Sequence, residues 1–393
     1  MRQPESDSAP QKAVVVIAAS ARAAAESLRR AGYEPHAVDA FGDRETRSAS
    51  RSWTLLDEWR RRIEMEHSND AATLDDAPDA SERMSGEFPW VLGGGLAESI
   101  EWLDDIPSLS GLNARRASLA NQATFLRELA DAADVAYPET YRSGEVPVVV
   151  QQEIALHPER WLVKPIFGTG GLGIHVPTSP TLERSQVLQR RTGGRSVGVS
   201  FCLDRHEVVY LGAARQWSQR TAHGRYVYKG SVGPVTFNAS IEDAFQRIGN
   251  ALMERLPIQG PCNVDVLIDA SDRVTLLEVN PRFSASMELL EWSWSQALAK
   301  ACSVFDPIEA WRRRLDSNAS RTLRTCVKRI LFAGRSCTIE PTQLHRTVMP
   351  SDWRLTDTPM KAVRVDRGDP VATILAPCSR AACRAEQFFN DLT

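Results

Sequence analysis

Hydrophobic and polar positions change rhythm several times along this chain, and the changes mark out its elements. Val14 to Ile17 is an unbroken apolar run, the pattern of a strand buried on both faces. The small-residue turn AASARA follows, and then a stretch in which Ser20 can cap a helix and Gly32 can end it. A second strand closes at Asp39. This predicts a βαβ opening. The turn lacks the phosphate fingerprint GxGxxG, so Asp39, placed where a dinucleotide fold holds its ribose-binding acid, is expected to be a loop acid. Residues 67–87 are acidic, small and nearly free of bulky apolar side chains, which predicts a mobile loop or long insertion. FPWVLGGGLAES reads as a third strand with a glycine turn at Gly93 to Gly95, ready for a ligand's approach or for a tight turn. A helix is expected around Gln122 to Ala133, and Pro138 closes the section.

Two later stretches carry the chemistry. In RWLVKPIFGTGGLGIHV, Trp161 to Pro165 has strand character and Ile174 to Val176 resumes a strand. Between them, Gly168, Gly170, Gly171 and Gly173 suit a hairpin loop whose amides approach phosphate oxygens without Cβ interference. Lys164 sits just before the loop as a point charge for a phosphate. No GK[ST] follows, so this is not a Walker loop. In GPCNVDVLIDASDRVTLLEVNPR, the strands Asn263 to Ile268 and Val274 to Asn280 flank a turn, as in a hairpin. Glu278, Asn280 and Arg282 recur at every second position and leave the strand on one face. Antiparallel pairing brings Asp265 across from Glu278 and Asn280. Two carboxylates and an amide oxygen make a hard-oxygen site suited to Mg²⁺, and Arg282 can hold a phosphate or a substrate carboxylate.

Composition narrows the function classes. The chain has 393 residues, 42% hydrophobic and 25% charged, enough for two or three domains. A net charge of −3 gives no footprint for nucleic acid. No apolar run approaches the ~18 residues of a membrane span, and the polar N-terminus has no signal-peptide core. The seven cysteines form no CxxC pair or zinc spacing, so free thiols in a reducing cytoplasm are expected. Of 47 basic residues only six are lysines, which singles out Lys164. The seven histidines are scattered, and His175 beside the glycine loop reads as structural.

Taken together, vKP…GtGGlGi followed by nvDvl…llEvNPR resembles the ATP-grasp superfamily, in its carbamoyl-phosphate-synthase-like, carboxylate–amine ligase branch. The resemblance implies an α/β (α+β) ATP-grasp fold: a Rossmann-like pre-ATP-grasp domain over 1–112, the ATP-grasp domain over 113–300, and a closing segment over 301–393. It implies Asp265, Glu278 and Asn280 as ligands of Mg²⁺ or Mn²⁺, and Lys164 on the α- and β-phosphates of ATP. Gly168, Thr169, Gly170, Gly171 and Gly173 would cover the phosphates. Gln189 would face the adenine, with Arg190 and Arg191 offering backbone groups to the base. Arg282 and Arg215 are the candidate catalytic cations. The pattern departs from the family near Gln122, where ASLANQATF offers no cation before Arg127, so either Arg115 or Arg116 substitutes or the N-terminal phosphate contact is lost.

The expected activity is an ADP-forming ligation of a small carboxylate and an amine, with no nucleic-acid or membrane partner and assembly as a homodimer left open. A kinase or carboxylase-like enzyme, or a catalytically weak ATP-binding module, is the alternative. An NAD-linked oxidoreductase is disfavoured by the missing glycines.

Overall fold

The computed structural model describes residues 12–67, 89–95, 119–166, 168, 170–204, 206–220, 226–256, 259–345 and 352–377. Thr169, Arg115, Arg116 and nearly all of the acidic stretch 67–87 lie outside the described residues.

The apolar opening run becomes β1 (Lys12–Ala18), central in a parallel four-stranded sheet with β2 (Tyr33–Asp39), β3 (Ser52–Leu55) and β4 (Trp90–Leu92), in the order β3-β2-β1-β4. Val14 to Ile17 are fully buried, as a strand covered on both faces requires. The helix Arg22–Arg30 connects β1 to β2, and Gly32 ends it with φ +85°. Ser20 does not cap this helix. The amide of Ala21 instead donates to Asp39 Oδ2 at 2.6 Å, and Asp39 also accepts from Phe41 N and Gly42 N. Asp39 is thus the loop acid expected of it, filled by backbone donors. Gly93 N donates to Ile17 O at 2.8 Å, so the glycine turn after β4 closes against β1.

A small antiparallel sheet follows, formed by β5 (Thr140–Arg142), β6 (Trp161–Pro165) and β7 (Gln186–Arg190) in the order β5-β7-β6. The strand expected at Ile174 to Val176 is a single bridge, His175 to Val163, because the glycines hold the chain away from continuous pairing.

The largest layer is an antiparallel sheet of eight strands. It comprises β8 (Arg195–Leu203), β9 (Val208–Arg220), β10 (Tyr226–Val235), β11 (Gly260–Ile268), β12 (Val274–Asn280) and β13 (Cys326–Phe332). After β14 (Cys337–Ile339), which pairs with β16 (Val363–Val365) in a separate two-stranded sheet, it is completed by β15 (Arg354–Thr356) and β17 (Pro370–Ala376). The order is β12-β11-β8-β9-β10-β13-β17-β15, so one sheet runs continuously across residue 300.

One face of this sheet is apolar. Val197, Val199, Val264 and Val266 pack there against the helices Ala123–Ala132 and Ala239–Arg255. The second helix is capped by Asn238, whose side chain accepts from Ile241 N at 3.1 Å. The opposite face carries the helix Ala285–Leu298, which seats Met287, Leu290 and Trp294 against both this sheet and the N-terminal unit. No helix among the described residues is long and apolar enough to cross a membrane.

Candidate active site

Strands β11 and β12 place Asp265 directly opposite Glu278, and Asn263 opposite Asn280. The register slips by one residue beyond that pair, leaving Leu277 without a partner. This bulge lets Leu276 turn into the core while Glu278 and Asn280 keep to the polar face. Asn280 Nδ2 donates to Asp265 Oδ2 at 3.2 Å and to Glu278 Oε1 at 3.1 Å, so the three side chains meet at one point. Burial, followed by the facing Glu278, pushes the Asp265 carboxyl well above the usual carboxylate range. Burial also acts to raise Glu278, but Lys164, the bonds from Asp265 and Asn280, and Arg282 outweigh it and hold that carboxyl low.

Lys164 belongs to β6, in the small sheet, so its field on Glu278 crosses between the two sheets. Its Nζ donates to Gln189 Oε1 at 3.2 Å. Gln189 is buried, and its Nε2 donates to Thr140 Oγ1 at 3.1 Å, so its amide engages the lysine and the strand beside it. The amides of Arg190 and Arg191 donate to the carbonyls of Glu139 and Arg160, each at 2.8 Å. The Arg190 guanidinium is tied to Glu139 and Glu153 and stacks over Trp161. These two N–H groups are engaged by residues that flank the small sheet.

The glycine loop folds back onto β10. Tyr228 N donates to Gly170 O at 2.8 Å. Gly171, at φ +82°, lies so close that a Cβ there would stand 3.0 Å from Tyr226 O. His175 makes a bond from Nδ1 to Gly173 O at 2.9 Å, a local fastening of the loop.

Arg282 follows Pro281 at the strand end, and its Nη2 donates to Asn280 Oδ1 at 2.7 Å. Arg215 is exposed on β9 and pairs with Val197, a residue of the apolar face. The next residue, Gln216, faces the carboxylates, with Nε2 2.9 Å from Asp265 Oδ1. The structure therefore groups Lys164, Asp265, Glu278, Asn280 and Arg282, and leaves Arg215 on the other side of the sheet. Sequence reasoning missed Gln216 and Asn263, both bound to Asp265 Oδ1. Asn263 carried a signal, two residues before Asp265 on the same strand. Gln216 carried none, because it comes from a strand two places away.

Beside the site lies a buried charge cluster. Glu288, on the helix Ala285–Leu298, bonds both Arg22 and Lys328, the latter at 2.5 Å. Arg22 Nε also donates to Asp357 Oδ1 at 2.6 Å. Burial acts to raise the Glu288 carboxyl, but the two cations hold it far below the usual range.

The donor set suits a divalent cation. Asp265 and Glu278 would hold Mg²⁺ or Mn²⁺, joined by the amide oxygen of Asn280 on a turn of that side chain, whose nitrogen faces the carboxylates and whose oxygen accepts from Arg282. The mutual crowding of two facing carboxylates is what such an ion relieves. Lys164 and the loop of positive-φ glycines fit the phosphate end of a nucleotide.

Residues 120–286 match the family model of an ATP-grasp domain, ATP-grasp_3. An uncharacterized protein of Methanocaldococcus jannaschii is 20% identical over 230 residues, 55% of this chain and 50% of its own length. The chain thus spans about half the length of the curated relative it matches. Among solved structures, N5-carboxyaminoimidazole synthase from Aspergillus clavatus, in complex with ADP and 5-aminoimidazole ribonucleotide, superposes with a TM-score of 0.62 at 12% identity, over 97% of this chain and 98% of that one. The biotin carboxylase domain of 2-oxoglutarate carboxylase from Hydrogenobacter thermophilus, with MgADP, ADP and bicarbonate, gives a TM-score of 0.62 at 13% identity, over 94% and 88%. The chain carries an ATP-grasp domain, set within an α/β architecture that has the ATP-grasp fold and opens with a parallel sheet.

Proposed function

We propose that the protein is an ATP- and Mg²⁺-dependent ligase that activates a small carboxylate as an acyl phosphate for attack by an amine, releasing ADP and phosphate. One observation carries this reading: Asp265, Glu278, Asn280 and Arg282 converge at one strand end, and Lys164 acts on Glu278 from the facing sheet. That convergence suits phosphoryl transfer, where positioning and charge neutralisation do nearly all the work. The absence of a side-chain nucleophile among these groups fits a route in which the substrate itself attacks.

In this reading Lys164 binds a phosphate of ATP and the loop from Gly168 to Gly173 covers it. Arg282 orients the substrate carboxylate. The cation, when bound, neutralises charge on the transferring phosphoryl group. A carboxylate oxygen attacks the γ-phosphorus as the bond to ADP breaks. The amine nitrogen then attacks the acyl carbon, the bond to phosphate breaks, and the amine releases a proton.

The deciding experiment supplies ATP, Mg²⁺ and a carboxylic-acid library without amine, with hydroxylamine as the trap. The expected products are a hydroxamate, ADP and phosphate. Formation of AMP and pyrophosphate sinks the mechanism. Glu278→Gln should abolish trapping while leaving the fold intact.

A further inference from the structure

We propose that Gln216 is a positioning residue that sets which divalent cation this site accepts, by holding Asp265 to a single free oxygen. The inference rests on the metal reading given above for Asp265, Glu278 and Asn280.

Asp265 Oδ1 accepts two side-chain amides, Gln216 Nε2 at 2.9 Å and Asn263 Nδ2 at 2.8 Å. Each carboxylate oxygen has about two acceptor positions, so this oxygen is filled. Oδ2 receives one side-chain amide, Asn280 Nδ2, at 3.2 Å, on the side facing Glu278. Asp265 can therefore offer a cation one oxygen, not two.

Both amides are themselves fixed. Gln216 Oε1 accepts from Ser196 Oγ at 3.3 Å, and its Nε2 also donates to Ser286 Oγ at 3.3 Å. Asn263 Oδ1 accepts from Ser200 Oγ at 3.3 Å. To reach Asp265 on β11 from β9, Gln216 must cross β8. The crossing point is Gly198, which pairs with Asp265. A Cβ at Gly198 would stand 2.4 Å from Gln216 Nε2 and 2.7 Å from Ser286 Oγ. The missing side chain is the opening through which the amide passes.

The consequence is chemical. Mg²⁺ and Mn²⁺ keep a compact octahedron and take carboxylates through single oxygens, whereas Ca²⁺ fills six to eight positions and readily takes a carboxylate through both. Blocking Oδ1 removes the second oxygen that Ca²⁺ would use. A residue that only supports the fold would, on removal, weaken every cation alike. A residue that blocks Oδ1 changes the ratio between them.

The test uses the full chain with a non-hydrolysable ATP analogue. Mn²⁺ binding is read by electron paramagnetic resonance, and Ca²⁺ binding by displacement of that Mn²⁺. Gln216→Met keeps length and volume but has no donor. It should weaken Mn²⁺ about tenfold, the usual effect of losing such a support, and Ca²⁺ much less, moving the preference toward Ca²⁺. Gly198→Ala should act in the same direction by displacing the amide. Ser196→Ala, a milder change that frees Gln216 Oε1, should shift the preference less and covers the case in which the others fail to fold. Equal losses for both ions, or an unchanged ratio in folded variants, overturn the proposal. Failure of the parent protein to bind Mn²⁺ overturns the metal reading beneath it, a result distinct from a parent that binds and variants that do not discriminate.

Discussion

Arg282 donates to the amide oxygen of Asn280 at 2.7 Å, so the arginine proposed to hold the substrate also steadies a side chain of the proposed metal site. Arg282→Ala should therefore lose hydroxamate trapping far more than it loses affinity for an ATP analogue. Parallel trapping and calorimetry make the comparison. Equal losses in both would reassign Arg282 to the nucleotide.

Lys164 donates to Gln189 and also acts on Glu278 from the other sheet. Lys164→Ala should weaken an ATP analogue by roughly 1.5–3 kcal/mol, the range for a charge-assisted contact. Titration calorimetry reads it directly. An unchanged affinity removes Lys164 from the phosphate site.

Glu288 is 4% exposed, and its partners Arg22 and Lys328 are 1% and 6% exposed. Glu288→Ala strips the buried Lys328 of its carboxylate, while Arg22 keeps Asp357 and Glu26, and should destabilise the protein by about 3–5 kcal/mol. Denaturant unfolding measures the loss. A cost below about 1 kcal/mol, the level of a surface pair, would mean that water reaches the cluster.

Glu291 gives a pH dependence. It is buried against Ser27, Arg30 and Val304 N, and burial pushes its carboxyl from 4.5 up to about 7 despite Arg30. The folded protein thus binds this proton more tightly than the unfolded chain. Its stabilising contribution is complete below 4.5 and is lost as pH rises through about 7. Melting temperature followed from pH 4.5 to 7.5 should decline more steeply in the parent than in Glu291→Gln. Identical slopes would show that Glu291 does not titrate in this window.

The sequence disclosed what depends on neighbours along the chain. The pairing of Asp265 with Glu278 follows from two alternating strands and a short turn, and β1 and β6 follow from their apolar runs. What depends on distant strands stayed hidden. Asp39 replaces Ser20 as the partner of the first helix because β2 ends beside its start, eighteen residues after Ala21. Which of Arg215 and Gln216 faces the carboxylates is decided by the register of β9 on β8, and nothing in AARQ announces it. The amides of Arg190 and Arg191 are engaged by Glu139 and Arg160, from segments whose approach no local pattern encodes.

The place of β17 has a consequence for how the chain reaches this state. It lies between β13 and β15, inside the sheet, although it is made after both. Until residues 370–376 leave the ribosome, β13 has β10 on one side and an open edge on the other. Lys328, on that half-paired strand, is the same residue that neutralises Glu288 beside the candidate site. A nascent or C-terminally truncated chain would thus present both an adhesive strand edge and an unfinished charge cluster. Such pairings between remote segments form slowly, which makes arrival of β17 the step that completes the strand carrying Lys328 and, with it, the charge cluster beside the candidate site.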